Sequence, residues 1–253
     1  MKLFDAHCHL QDPEILPDIG KIMVRASGSG VERMACCGTN SGDWKTVLRL
    51  PEQFAQVIPM IGIHPWQVPV DWKESFQYLE KLLQENPQAG IGETGLDFQE
   101  RFENRAVQEA CFAAHLDLAR ELNRSVAVHC VRAWGRLIEI LREHPAPRVL
   151  LHAFGGAPEL IPQLVELNCW FSLCGSVANP QAKRARDAVA AVPADRLLIE
   201  TDSPDFTPSG CLFPNEPSNL THVACAVAEL RCVPPERLAA ITYANSSHLF
   251  ADS

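Results

Sequence analysis

The chain has no apolar stretch approaching the ~20 residues of a membrane span, which argues against a helical membrane protein. Asp5 and His7 follow Met1 almost at once, leaving no room for the charged region, apolar stretch and cleavage site of a secretory leader. Positive charge is scarce as well. The 22 lysines and arginines face 31 acidic residues, a formal net charge of −9, so no broad basic face is available to coat nucleic acid or an anionic membrane. Any phosphate-bearing partner must be gripped locally. No repeat of fixed period, low-complexity tract or Gly-, Ser- or Pro-rich linker interrupts the chain, and one domain over residues 1–253 is expected. The ten cysteines are scattered without the framework of a disulfide scaffold, and Cys36 and Cys37 read as strand packing. These absences predict a soluble protein of a reducing compartment, cytoplasmic, with no membrane partner.

What is present is the composition of a packed globule: 47% hydrophobic and 21% charged residues. A length near 250 residues suits a single α/β barrel. Short apolar runs alternate with helical spacing, and strands are expected near 3–9, 33–37, 57–64, 90–95, 126–129, 149–153, 170–174 and 197–201. Between them, Phe112, His115, Leu116 and Ala119 share one stripe of a helix over 107–122, and a second helix is clear over 134–142. Eight strand–helix units predict an α/β fold, a (β/α)₈ TIM barrel. Residues 231–250 read as closing helices, the last opened by Pro234 and Pro235.

The polar residues at the strand ends carry the chemistry. Asp5, His7 and His9 recur at a spacing of two, which on a regular strand places them on one face. Burying two imidazoles and a carboxylate together costs several kcal/mol unless each finds a partner, and a cation supplies one. Glu93 in IGETGLDF, His129 in VAVHC, His152 in VLLHAFGG and Asp202 in LLIETDSP each end a later apolar run. Taken singly, such a histidine serves equally as a hydrogen-bonded core residue, and such a carboxylate as a helix N-cap. Taken jointly, six residues at the same ends of five converging strands face one pocket, where active sites of barrels lie. Four imidazoles and two carboxylates exceed the needs of one tetrahedral Zn²⁺. Two divalent ions are expected, drawn from Zn, Mn, Mg, Ni or Fe, with mixed N/O ligation unlike a Ca²⁺ cage.

The order D-x-H-x-H, GIHP, GE-x-GLD, VHC, HAFGG, ETDSP and NEP resembles the TatD family of metal-dependent deoxyribonucleases over nearly the whole chain. The resemblance implies a metal-dependent hydrolase barrel in which His7, His9, Glu93 and Asp202 surround one metal. Glu93 would bridge to a second ion held by His129 and His152. Physical reasoning agrees on the bridge, because a carboxylate has two oxygens and an imidazole has one free lone pair. Glu93 and Asp202 are thus the catalytic candidates, with Asp202 read either as ligand alone or also as the base that orients water.

By strand parity, Asp5 and Glu200 fall one layer beneath the ligands, within reach of imidazole N–H groups. His64 in GIHPW is a candidate substrate contact or a packed loop histidine, and Trp66 and Phe154 are candidate base-stacking residues. His115 reads as structural. Many family sequences carry arginine two residues after the fifth-strand histidine, where Val131 stands in this chain, with Arg132 one residue later. On a regular strand that offset turns the guanidinium away; a loop would recover it for substrate binding. DNA or another phosphodiester is the expected partner, held by local contacts. The alternative is an ester or amide hydrolase, for example of misacylated tRNA, since fold does not fix substrate. A non-catalytic metal-binding protein is the third reading, and the intact ligand set argues against it.

Overall fold

The computed structural model describes residues 1–101 and 104–251; residues 252 and 253 of the expected domain lie outside them. Eight strands form one sheet in sequence order: β1 (Leu3–Cys8), β2 (Val31–Cys37), β3 (Val57–Ile61), β4 (Gly90–Asp97), β5 (Ser125–Val131), β6 (Arg148–Leu151), β7 (Cys169–Leu173) and β8 (Leu197–Ile199). Every adjacent pair from β1 to β8 is parallel. The sheet curls round until the end of β8 meets β1. There the Asp202 N–H donates to the His7 carbonyl (3.0 Å) and the His9 N–H to the Ser203 carbonyl (2.8 Å). Among the described residues no helix is long and apolar enough to cross a membrane.

Period-two alternation sorts the side chains into two cores. Leu3, Val31, Val57, Ile91, Val126 and Val149 face outwards into the layer shared with the helices. Phe4, Ala6, Ala35, Ile58, Met60, Ala127, Leu150, Trp170 and Leu198 fill the barrel interior. Each large residue among them stabilises by about 1.5–3 kcal/mol through burial. Leu249 and Phe250, at the end of the helix Pro235–Leu249, plug the bottom, with Phe250 stacked on Phe4 at 5.5 Å between ring centres. The bottom of the barrel is therefore sealed with apolar side chains, and the polar residues are left to the opposite mouth.

All eight expected strands form, and the expected helices occupy Arg105–Leu122 and Trp134–Glu143. The end of the chain differs: a single helix opens at Pro235, and its companion, Leu220–Leu230, lies before residue 231. The companion's LTHVACAVAEL is apolar on most sides, so its sequence shows no clean stripe. Strands β3 and β8 end earlier than expected, because the residues after Ile61 and Ile199 leave the ladder to line the mouth.

Candidate metal centre

Two features of β4 bring its carboxylate into the mouth. Its register against β5 shifts between Ile91 and Thr94, so the strand bulges and Glu93 turns inwards, followed two and four residues later by Gly95 and Asp97. Gly95 sits at φ +137°, and a Cβ there would run into the backbone carbonyl of His129. Only glycine lets β4 and β5 approach closely enough to place Glu93 beside His129.

The six residues expected at the strand ends converge. Glu93 Oε2 lies 3.2 Å from His7 Nε2 and 3.3 Å from His9 Nε2. The same two nitrogens lie 3.6 and 3.5 Å from Asp202 Oδ1 and 3.2 Å from each other. Glu93 Oε1 faces a second group: His152 Nε2 at 2.9 Å and His129 Nδ1 at 3.1 Å, themselves 3.2 Å apart. His64 Nε2 stands 3.1 Å from the same oxygen. One carboxylate thus presents each oxygen to a different set of imidazoles.

The far nitrogen of each ring decides what the near one offers. A carbonyl only accepts, so His9 Nδ1 donates to the Cys37 carbonyl (2.7 Å), which leaves its Nε2 lone pair facing the centre. His129 Nε2 faces Asp97 Oδ2 at 3.4 Å, so its proton lies there and Nδ1 is free. His152 Nδ1, buried without a hydrogen bond, faces Glu200 Oε1 at 3.7 Å. His7 Nδ1 meets the Cys37 thiol at 3.4 Å. His64 is the exception. Its Nδ1 accepts the Trp66 N–H (3.1 Å), so in the neutral ring the proton sits on Nε2 and points at Glu93. His9 and His129 therefore present lone pairs suited to a cation, and His7 and His152 do the same with the proton on Nδ1, whereas His64 presents a donor suited to an acidic oxygen. By proximity alone His64 groups with Glu93 and His129.

Electrostatics favours positive charge in the centre. Burial alone would raise Glu93, but His152, His64 and His7 beside it hold it well below the usual carboxylate range. Asp202 is held at about 2, burial being outweighed by His9, His152 and His7. Burial pushes His9 and His152 down, yet their carboxylate neighbours leave both well above 6.5; His129 is raised in the same way by Asp97 and Glu93. His7 and His64 are pushed down, chiefly by burial. Protons cannot satisfy this cluster fully, because His7 Nε2 and His9 Nε2 are too close for both to carry one. Divalent cations fit the donor set without that conflict.

Asp5 and Glu200 part company. Glu200 keeps the expected place beneath Asp202: it accepts from the Ala153 N–H (2.6 Å) and the Ser172 hydroxyl, beside His152. Asp5 faces no imidazole. The register of β1 shifts between Asp5 and Cys8, Phe4 and Ala6 fill the inward layer, and Asp5 turns across the seam. There it accepts the Thr201 N–H (2.8 Å) and hydroxyl (2.5 Å), closing the barrel in place of a ladder carbonyl. Burial pushes its carboxyl up to about 8, against the pull of Thr201.

Arg132 sits at φ +55°, exposed, and is not among the residues lining the mouth; Val131 is. Phe154 is buried against Trp134 and Phe171, so it packs and does not stack a base. Trp66 does line the mouth. His115 is structural: it donates to the Cys111 carbonyl and accepts the Ile63 N–H.

Sequence reasoning missed the role of Asp97, although its parity with Glu93 on a strand was a usable signal. It also gave no partner for Asn215, which is fully buried. Asn215 Nδ2 donates to the Thr201 (2.9 Å) and Asp205 (2.7 Å) carbonyls, spanning the turn in which Asp202 holds φ +52°. Asn215→Leu leaves those carbonyls unpaired at about 1–3 kcal/mol each. It is expected to lower Tm by several degrees and metal affinity by about 10–100-fold, checked by thermal denaturation and metal titration. Wild-type metal affinity in a destabilised variant would reduce Asn215 to a packing residue.

The centre floors a cavity of about 680 Å³ flanked by Trp66 and Phe206. Among the described residues lining it none is lysine or arginine, and Asp12, Asp43 and Asp205 add carboxylates.

A closed α/β barrel with lone-pair imidazoles grouped round the two oxygens of one carboxylate at its C-terminal mouth defines a metal-dependent hydrolase. The chain belongs to the TatD related DNase family, whose model matches residues 4–251. It is 31% identical to the uncharacterized metal-dependent hydrolase YabD of Bacillus subtilis, the match covering 98% of each chain. It is also 31% identical to the 3'-5' ssDNA/RNA exonuclease TatD of Citrobacter koseri, again over 98% of each chain. The crystal structure of YjjV, a TatD homologue from Escherichia coli, superposes with a TM-score of 0.93 at 28% identity, covering 98% of this chain and 97% of that one.

Proposed function

We propose that this chain, acting as one catalytic domain, hydrolyses phosphodiester bonds at DNA ends or in short single strands. Two divalent ions would be held by His7, His9, Glu93 and Asp202 on one side and by Glu93, His129 and His152 on the other. The observation that carries this reading is the division of the Glu93 oxygens between two sets of imidazoles. Divalent ions in such a centre supply Lewis acidity and lower the pKa of water towards ~7. Asp202, whose Oδ1 faces His7 and His9, would serve as a ligand and, in the same position, could orient a nucleophilic water. His64, a donor through Nε2, is placed to hold a phosphate oxygen once Glu93 is engaged. The relatives named for strand cleavage support this substrate class.

A second reading, hydrolysis of an ester or amide, draws support from the cavity walls, whose charged groups outside the centre are carboxylates. The decisive assay runs labelled single-stranded DNA and an aminoacyl ester in parallel under several divalent ions. Cleavage of DNA is expected; ester hydrolysis without any phosphodiester cleavage would promote the second reading. Strand binding is expected to depend weakly on salt, with a log–log slope equivalent to about one to three phosphate contacts at ~0.7 each. A slope equivalent to six or more contacts, or preferred cleavage inside duplexes, would contradict the proposal.

A further inference from the structure

If the substrate is a strand, it lies along a cavity that offers its phosphates no cation: among the described residues lining it none is lysine or arginine. Attraction beyond the centre must then come from the bases. Phe206 stands at the place where a base would pass. It is 47% exposed, follows Asp202 by four residues, and lines both the cavity over the centre and a second cavity of about 450 Å³. Among the described residues lining that second cavity none is charged, and Ser176, Asn179, Gln181, Thr207 and Ser209 give it neutral hydroxyl and amide groups.

The fold holds Phe206 in this exposed place at a conformational cost. Its backbone sits at φ +49°, which bulky side chains rarely adopt. Asn215 ties down the residues before it, donating through Nδ2 to the Asp205 carbonyl (2.7 Å) and through its N–H to the Pro204 carbonyl (2.9 Å). Gly175, just after β7, admits the Phe206 carbonyl so closely that a Cβ at 175 would collide with it. Strained backbone that its surroundings fix in this way clusters at ligand-binding positions.

We propose that Phe206 is a nucleobase platform: a base close to the scissile phosphate stacks on its ring, and the neutral cavity beside it receives the next nucleoside. This rests on the phosphodiesterase reading above. Four residues of chain span at most about 14 Å, so at a rise of about 3.4 Å per nucleotide the ring meets a base within the first few steps from the centre. Stacking suits an acidic enzyme, because every base has a π-face and the contact requires no charge. The neutral cavity likewise spares the strand the repulsion of Asp12 and Asp43 on the wall of the first.

The test uses short phosphorothioate-linked oligodeoxynucleotides, one intact and a set each lacking a single base, bound across a salt series at fixed Mg²⁺ concentration, together with cleavage of the unmodified strand. Phe206 is half-exposed, so Phe206→Ala is expected to fold as the wild type does, with Tm as the check. It should weaken binding of the intact strand roughly 5- to 100-fold and raise KM more than it lowers kcat. The log–log salt slope should stay at the wild-type value, because no phosphate contact is lost. Removing the stacked base should cost the wild type a similar factor and Phe206→Ala little, so that the two losses do not add. Phe206→Trp should keep the affinity and Phe206→Leu only part of it. Phe206→Ala affinity and KM equal to wild type, in an enzyme that cleaves strands, would overturn the platform alone, and so would fully additive losses at every base. Wild-type protein that neither binds nor cleaves strands would overturn the phosphodiesterase reading, and the platform with it.

Discussion

Glu93→Ala is expected to abolish measurable turnover, a loss of about a thousandfold or more, together with binding of both metal ions. The magnitude follows from geometry. Each Glu93 oxygen faces a separate imidazole group, so one substitution removes an anionic donor from both halves of the centre. It also leaves His129 and His152 facing each other without the Glu93 charge, and His7 and His9 with Asp202 alone. Losing several kcal/mol of electrophilic stabilisation corresponds to about three powers of ten or more in rate. Glu93→Gln keeps the shape and one oxygen, so it should retain a single weakly held ion and a trace of activity. Asp5→Ala should behave differently, because Asp5 bonds Thr201 across the seam and no imidazole. It should cost stability first, with the rate falling only as far as the Asp202 turn shifts. Metal content by atomic emission, kcat and Tm on the three variants separate these outcomes. A fully active Glu93→Ala enzyme with its full metal complement would end the bridging assignment.

The barrel was legible in the sequence because each element carries its own signal: an apolar run too short for a helix, then a stripe at helical spacing. Trouble began wherever local pattern and tertiary role diverge. The helix Leu220–Leu230 buries Leu220, Val223, Ala224, Val227 and Ala228, a regular face, but small apolar residues elsewhere round it hide the stripe. At Asp5 the period-two rule failed for a stated cause. A register shift in β1 cannot be seen in DAHCH, and it moves the carboxylate from the layer beneath the ligands to the seam with β8.

The convergence of the candidate ligands was legible for the opposite reason. His7, His9, Glu93, His129, His152 and Asp202 each end an apolar strand, so their convergence follows from the fold. What sequence could not supply were relations between loops. Arg101 meets Trp66 from a loop 35 positions further along the chain, and Asn215 clamps carbonyls at 201 and 205 from beyond them. Nor could it tell donor from lone pair. His64 and His129 both end up 3.1 Å from one Glu93 oxygen, and only the partners of their far nitrogens separate a donor from a lone pair.

The same far-nitrogen geometry leads to the second large effect, a metal-dependent stabilisation that widens as pH rises. In the metal-free protein His9, His129 and His152 have pKa values raised above 6.5 by the surrounding carboxylates. Groups raised on folding contribute stability that is complete below their unfolded pKa and is lost as pH climbs through the folded value. Glu93 and Asp202 are depressed, so their contribution is present above their unfolded values of 4.5 and 3.8 and is lost as pH falls through the folded ones. The metal-free fold therefore weakens on the alkaline side as His9, His129 and His152 lose their protons, while His7 and His64, pushed down by burial, weaken it on the acid side. Divalent ions reverse that slope, because they require the same imidazoles unprotonated and their affinity rises as each proton leaves. At a free concentration of about 100 times Kd, one ion stabilises by about 2.7 kcal/mol, which for a chain of this size is roughly 5–10 °C in Tm. Each proton displaced makes that affinity about tenfold tighter per pH unit, or about 1.4 kcal/mol more. Thermal denaturation with chelator and with added Zn²⁺ or Mn²⁺, from about pH 6 to about pH 8, should therefore give two diverging curves, the chelated one falling and the metal-loaded one rising relative to it. Parallel curves would mean that metal does not compete with these protons. Curves that converge with pH would mean that the imidazoles hold something other than a cation through their near nitrogens, and the assignment of His9, His129 and His152 would have to be withdrawn.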